Sequence, residues 1–276
     1  MDEQIVQSQE LQLFVEAMQL CHGIDFKGYQ PASLQRRVTE LAKQQGVQHI
    51  SELIPKVFHQ PNFADLVVSE ISVGVTEFFR DPELYRILKN QLLPQLASYP
   101  AINVWSAGCA TGEEAYSLAI IFKQAGLLAK TRIYATDMNA QAIAYAKQGI
   151  YPIKTAQQGS LNYHAFSPSG SFSDYFTARY QQMKLHDELL QAVSFFSHNL
   201  STDAAFCEAH LIVCKNVLIY FNQDLQNRSL ELFKDSLVRK GFMLLGTKED
   251  CRVKGLNAIV LQEKSSVNLY QKNNKL

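Results

Sequence analysis

Val-Trp-Ser-Ala-Gly-Cys-Ala-Thr-Gly-Glu-Glu-Ala-Tyr-Ser, residues 104–117, is the stretch that decides the fold. The short apolar run from Ile102 to Trp105 ends in small residues, and Leu118, Ala119, Ile120, Ile121 and Phe122 then continue a helix-like pattern. Strand, glycine-bearing turn and helix in that order open a ligand site in an open α/β sheet, outside the carboxyl ends of the strands. Gly108 and Gly112 let the backbone turn tightly and let a ligand approach it closely.

Glu113 and Glu114 occupy the first turn of the helix that follows. Taken alone, such a pair only stabilises a helix start, since that end carries partial positive charge. The same carboxylates would repel a pyrophosphate, and the spacing is not Gly-x-Gly-x-x-Gly. A ligand bringing cationic groups beside a nucleoside suits them better, and S-adenosylmethionine, with an ammonium and a sulfonium, is such a ligand.

Downstream, Thr131-Arg132-Ile133-Tyr134-Ala135-Thr136-Asp137 reads as a second strand ending in an acid. In such folds an acid about 20 residues beyond the glycine turn binds ribose hydroxyls. Asp137-Met138-Asn139 can also cap a helix over Ala140–Gln148, and both readings fit. The glycine turn upstream favours the ligand role. Residues 149–192 then break the alternation, with Tyr151-Pro152 and Ser167-Pro168-Ser169-Gly170-Ser171 as turns around short extended pieces such as Phe176–Leu185, a small antiparallel insertion. The sheet resumes with Val193–Phe196 and with His210–Cys214, which opens into Lys215-Asn216-Val217-Leu218-Ile219-Tyr220-Phe221. A helix is expected from Gln223 to Val238, a strand over Gly241–Gly246, and two extended runs, Ala258–Gln262 and Val267–Tyr270, as an antiparallel edge.

Upstream of the glycine turn the pattern is helical. Leu11, Phe14, Val15 and Met18 recur at helical spacing from Glu10 to Cys21, and Gly23 stops that helix. A second helix starts at Pro31-Ala32-Ser33, buries Leu34, Val38 and Leu41, and ends before Gly46. Its outer face carries Arg36, Arg37 and Lys43. Further helices fall near residues 50–59 and 62–72, and Asp81-Pro82-Glu83 opens one to Ala97 that Pro94 can kink. The expected organisation is a helical domain over 1–80, a linking helix over 81–101, and an α/β domain over 102–276 with 149–192 inserted.

The 276 residues suffice for a large core, and the composition is globular, 47% apolar and 19% charged. Lys plus Arg and Asp plus Glu both number 26, so bulk charge gives no support to nucleic-acid or membrane binding. Residues 1–95 hold twelve acidic and eight basic side chains, leaving the remainder basic. Five cysteines without Cys-x-x-Cys fit a reducing cytoplasm better than a disulfide framework. The seven histidines show no metal-ligand spacing, and no secretory start or membrane-spanning apolar run is read.

Five motifs fall in one order: Thr76-Glu77-Phe78-Phe79-Arg80, Gly108-Cys109-Ala110-Thr111-Gly112-Glu113-Glu114, Ala135-Thr136-Asp137, Asn199-Leu200 and Asn216-Val217-Leu218-Ile219-Tyr220-Phe221. Together they resemble the chemotaxis receptor methyltransferases (CheR-like enzymes), over nearly the whole chain. The resemblance implies a Rossmann-like methyltransferase sheet with an N-terminal helical domain and an inserted antiparallel β-subdomain. It implies methyl transfer from S-adenosyl-L-methionine to glutamates on the cytoplasmic domains of methyl-accepting chemotaxis receptors. Carried over by motif, Thr76, Arg80, Gly108, Glu114, Asp137, Asn199, Leu200, Lys215 and Asn216 would meet the cofactor, and Arg80 and Tyr220 would serve the transfer. Arg36, Arg37 and Lys43 would face the receptor. Gly74 stands where the family often has asparagine, Lys215 where it has arginine, Ala115 where proline is common, and Gly246-Thr247-Lys248-Glu249 departs from the usual Gly-His-Ser-Glu. Some members capture a C-terminal receptor peptide on the β-subdomain through a glycine-containing loop. Here Arg179–Leu185 has no glycine, so no such tether is expected. Because the acceptor lies outside the chain, a methyltransferase acting on another protein and a non-catalytic cofactor-binding module stay open. Retention of Arg80 and Tyr220 argues against the second.

Overall fold

In the computed structural model, residues 3–72, 74, 76–251, 256–259 and 267–273 are described. Four helices come first: α1 (Glu3–His22), α2 (Pro31–Gln44), α3 (Ile54–His59) and α4 (Phe63–Ile71), with a 3-10 turn at Ile50–Leu53. Their own apolar core includes Phe14, Met18, Phe26, Val38, Leu41, Leu53 and Val67. α2 begins at Pro31, where a missing N–H costs nothing, and buries Leu34, Val38 and Leu41 as its spacing predicts. α1 starts seven residues ahead of the expected Glu10. Its pattern is ambiguous because Ile5, Leu13 and Leu20 are exposed.

The helix expected from Pro82 to Ala97 is divided into α5 (Pro82–Ile87), a π-turn at Leu88–Leu92 and α6 (Leu93–Leu96). Pro94 has no N–H to give to the turn before it and its ring crowds the carbonyl four residues back. A widened turn immediately upstream absorbs both defects.

The central sheet uses β1 (Ile102–Ala107), β2 (Thr131–Asp137), then, beyond the insertion, β6 (Val193–Ser197), β7 (Ala209–Cys214), β8 (Leu237–Gly246), β9 (Leu256–Ile259) and β10 (Val267–Lys272). Their order is β6-β2-β1-β7-β8-β10-β9. The first five pair in parallel and β10 runs antiparallel to both β8 and β9. That is the expected α/β sheet with an antiparallel edge. Of the run Ala258–Gln262, residues 260–262 lie outside the described residues. α7 (Glu113–Gln124), α8 (Ala140–Gln148) and α11 (Gln223–Ser236) cover the sheet. Both faces of β1 are buried: Ile102 and Val104 pack into one core with Ile120 and Phe122 of α7, Trp105 and Ala107 into the other with Phe233 of α11. A buried parallel strand reads as a continuous apolar run for this reason.

Between α8 and β6 lie β3 (Ile150–Pro152), α9 (Lys154–Phe166), β4 (Phe176–Arg179), β5 (Gln182–Leu185) and α10 (Asp187–Ala192). The three strands form the antiparallel β3-β5-β4 sheet that was expected. The two helices were not. α9 has Gly159 in its interior, a poor helix residue. A Cβ there would lie 2.8 Å from Phe172 Cε1, so the glycine serves the packing of Phe172. Tyr163 and Phe166 of the same helix are buried against Phe79. Tertiary packing, not local propensity, makes this helix.

Candidate active site

The carboxyl ends of β1, β2, β7 and β8 converge on one cavity of about 490 Å³, within the range of ~300–1,000 Å³ usual for small-molecule sites. Thr76, Arg80, Gly108, Glu114, Asp137, Asn199, Leu200, Lys215, Asn216 and Tyr220 all line it. The cavity sits where β1 separates strands that leave to opposite sides, the usual ligand position in an open α/β sheet.

The glycine turn after β1 is held by its neighbours. Gly108 has φ +77, and a Cβ on it would fall 2.3 Å from Val217 Cγ2. The Gly108 and Cys109 amides both donate to Thr136 O, at 2.8 and 2.9 Å, tying the turn to the end of β2. Ala110 also has positive φ, +46, and its N–H donates to Asp137 Oδ2 at 2.8 Å. Asp137 Oδ1 accepts from the Asn139 amide at 2.9 Å. These amides do not use all of the carboxylate's four or so acceptor sites, so capacity remains for a ligand hydroxyl. Burial raises the Asp137 pKa, and the amides of Asn139, Ala110 and Met138 pull it back. The helix cap is Asn139, whose Oδ1 accepts from Gln141 N and Ala142 N. Asp137 is thus free of the capping role and faces the cavity.

The adjacent acids diverge. Glu114 lines the cavity and accepts a hydrogen bond from Ser106 Oγ at 3.0 Å. Burial raises its pKa, while Lys215 and that hydroxyl lower it. Glu113 is 7% exposed and takes the Thr111 hydroxyl at 2.6 Å. Burial pushes its carboxyl up to about 7. Lys215, its side chain 3% exposed, forms an ion pair with Asp81.

The N-terminal helices reach the same cavity. Tyr29 lines it and donates to Met138 Sδ at 3.0 Å. Gln30 N donates to Tyr220 O at 2.8 Å and Asn222 N to Gly28 O at 2.8 Å, so residues 28–30 pin the segment carrying Tyr220. Arg37 donates to Glu70 O at 3.1 Å and lays its guanidinium over the Tyr220 ring, 5.4 Å from the centroid. This corrects the single outer patch read from the sequence. Arg36 and Lys43 are exposed, Lys43 lying 3.8 Å from Glu40, whereas Arg37 faces inward. Consecutive helical residues are turned about 100° apart, while residues seven apart share a face.

Sequence reasoning missed Tyr29, Asp81, Met138, His198 and Lys248, which also line the cavity. None stands in a spacing pattern. Asp81 was read as a helix start, Met138 as part of a cap and Lys248 as part of a motif departure, and none of these signals pointed to the cavity. Among the described residues no His, Cys, Asp and Glu group is arranged for a metal ion, and no helix is long and apolar enough to cross a membrane.

Residues 74–265 match the family described as CheR methyltransferase, SAM binding domain. The chain belongs to this family. A Pseudomonas putida (strain KT2440) protein named as the methyltransferase Cher3 is 41% identical over 240 residues, 87% of this chain and 88% of the relative. A chemotaxis protein methyltransferase of Listeria innocua is 29% identical, covering 82% of this chain and 84% of its own. Chemotaxis protein methyltransferase 1 of Vibrio cholerae is 28% identical over 88% of this chain and 90% of its own. The methyltransferase therefore uses S-adenosylmethionine, and the family match takes in every cavity residue except Tyr29, Ile71 and Ser72.

Proposed function

We propose that this methyltransferase esterifies glutamate side chains on the cytoplasmic domains of methyl-accepting chemotaxis receptors, working in the cytoplasm. The observation that carries the reading is the single cavity in which Glu114 and Asp137 stand with Arg80 and Tyr220. The donor set fits S-adenosylmethionine: a half-buried acid for a cationic methionine end, and a second acid with remaining acceptor capacity for ribose hydroxyls. Names of relatives in Listeria and Vibrio supply the chemotaxis context.

In this reading Glu114 holds the ammonium, Asp137 the ribose, and Thr76, Gly108, Asn199, Leu200, Lys215 and Asn216 complete the cofactor's surroundings. When bound, S-adenosylmethionine supplies an electrophilic methyl group. A glutamate acceptor is already a carboxylate near neutral pH, since an unperturbed glutamate titrates at about 4.3, so no residue has to remove a proton from it. What the chain must do is aim the acceptor, strip its water and keep its charge. Arg80 holds an acceptor oxygen and Tyr220 hydrogen-bonds beside it. Arg37, lying against the Tyr220 ring, steadies that end, while Arg36 and Lys43 meet acidic positions on the receptor's methylation helices. These exposed charges give weak, salt-sensitive docking.

The β4–β5 hairpin turns through Tyr180 and Gln181, both at positive φ, without glycine. Its family reading is that no receptor tethering peptide is needed. Titration with a receptor C-terminal peptide tests this, and micromolar binding mapping to residues 149–192 overturns it. The function itself is tested by incubating the protein with methyl-tritiated S-adenosylmethionine and receptor cytoplasmic domains. The expected product is a base-labile glutamyl methyl ester. Label on nitrogen, or none on any receptor domain, overturns the proposal.

A further inference from the structure

Glu249 lies just beyond β8, 3% exposed, in the stretch that departs from the family pattern. Its carboxylate is filled with backbone amides. Oε1 accepts from Val217 N and Leu218 N, both at 2.9 Å, and Oε2 from Asn216 N at 3.1 Å and Gly246 N at 2.8 Å. Three of these four donors belong to one loop, which carries Lys215 before it and Tyr220 after it. Asn216 in that loop has φ +59, a left-handed conformation that few residues other than glycine and asparagine adopt readily. The backbone that carries it is also held: the Asn268 side chain of β10 donates to the main-chain carbonyls Glu249 O at 2.7 Å and Gly246 O at 3.3 Å. Gly246 leaves it room, since a Cβ there would fall 2.7 Å from Oε2.

We infer that Glu249 is a positioning residue of the methyltransferase, an internal anion that fixes the 215–220 loop so that Lys215, Asn216 and Tyr220 face the cavity. An ionised carboxylate has only acceptor sites, so it can take all four amides. A glutamine of the same shape cannot: either orientation sets its NH2 group against two amide donors. The glutamine substitution therefore separates charge and acceptor count from packing. The inference rests on the reading that this loop meets the cofactor.

The test is calorimetric titration with S-adenosylhomocysteine of Glu249→Gln, Glu249→Ala and Asn216→Ala, each with its thermal midpoint. Glu249→Gln is expected to lose at least tenfold in affinity. Sodium formate is expected to restore part of the affinity of Glu249→Ala, and sodium chloride at equal ionic strength none, a rescue that packing alone would not give. Glu249→Gln within twofold of wild type, while Asn216→Ala is weakened, overturns the inference. Both within twofold sinks the reading of the cofactor site, and this inference with it. If the Glu249 variants do not fold, Gly246→Ala, which crowds Oε2 without removing its charge, is expected to weaken binding at least threefold. Unchanged affinity there overturns the inference as well.

Discussion

Replacing Lys215 by methionine keeps most of the side chain's length and removes one charge. In the wild type that charge pairs with Asp81 and lowers the Glu114 pKa, which burial alone would raise further. Without it, Glu114 keeps its burial and the repulsion of Glu249 and Asp81, with no cation to offset them. Removing one partner of a fully buried pair costs about 3–5 kcal/mol, because the remaining charge is stranded. The Asp81 side chain is 34% exposed, however, and solvent screening reduces the expected cost to about 1–3 kcal/mol. The pH dependence follows from the direction of the Glu114 shift. An acid whose folded pKa is raised contributes stability below its unfolded pKa and loses it as pH rises through the folded value. The variant raises the folded value further, so its deficit is largest at pH 8 and shrinks toward pH 5 as Glu114 takes a proton. Urea unfolding followed by circular dichroism at both pH values measures this. A deficit at pH 8 of about 1–3 kcal/mol is expected, falling by at least half at pH 5, and Asp81→Asn in the same chain should recover part of it. An equal deficit at both pH values would refute the stranded-acid account.

Three other outcomes are expected. Alanine at Glu114 or Asp137 should weaken S-adenosylhomocysteine binding by about 1.5–3 kcal/mol, roughly 10- to 150-fold; calorimetry giving wild-type affinity for both folded variants returns these acids to structural roles. Arg80→Ala and Tyr220→Phe should lower turnover on receptor domains more than they lower cofactor affinity, and wild-type turnover in both removes them from the transfer. Glu113, raised from 4.5 to about 7 by burial, should make the wild type lose stability between those pH values, up to roughly 3 kcal/mol. Glu113→Gln should flatten that slope, and an unchanged profile from pH 4 to 8 contradicts the assignment.

The α/β sheet was legible because both faces of its strands are buried, which writes a continuous apolar run at Ile102–Trp105 and at His210–Cys214. That Gly108, Glu114 and Asp137 share one cavity was legible because the signals are local: a glycine turn, a strand-ending acid, a charge at a helix start. What stayed hidden depends on distant partners. Nothing in Lys154–Phe166 announces a helix, since the residues that make it one are Phe79 and Phe172. Arg37 borders Leu34 and Leu41 on the helical wheel, away from Arg36 and Lys43, but what it meets there, Glu70 O and the Tyr220 ring, comes from distant parts of the chain. Glu249 stood in a noted motif, yet its role requires knowing that a loop some thirty residues earlier offers it three amides.

Seven residues other than glycine have positive φ among the described residues, and four of them, Phe79, Asp81, Ala110 and Asn216, lie in or beside the cavity wall. Each such conformation costs on the order of 1–3 kcal/mol and persists only where the surroundings over-determine it. Here the restraint can be named for each. Phe79 N donates to Ser117 Oγ at 2.9 Å, Ala110 N to Asp137, and Asn216 N to Glu249, while the Asp81 carboxylate holds Lys215. Three of the four restraints are charged, and two of those, Asp137 and Lys215, themselves line the cavity. Two groups that line the cavity, Asp137 and Lys215, therefore also hold strained backbone in place. A site built this way is ordered before anything binds, so ligand binding does not have to supply the free energy of ordering these loops. The same construction makes the site fragile to any substitution at those charges, because backbone geometry and ligand contact are lost together.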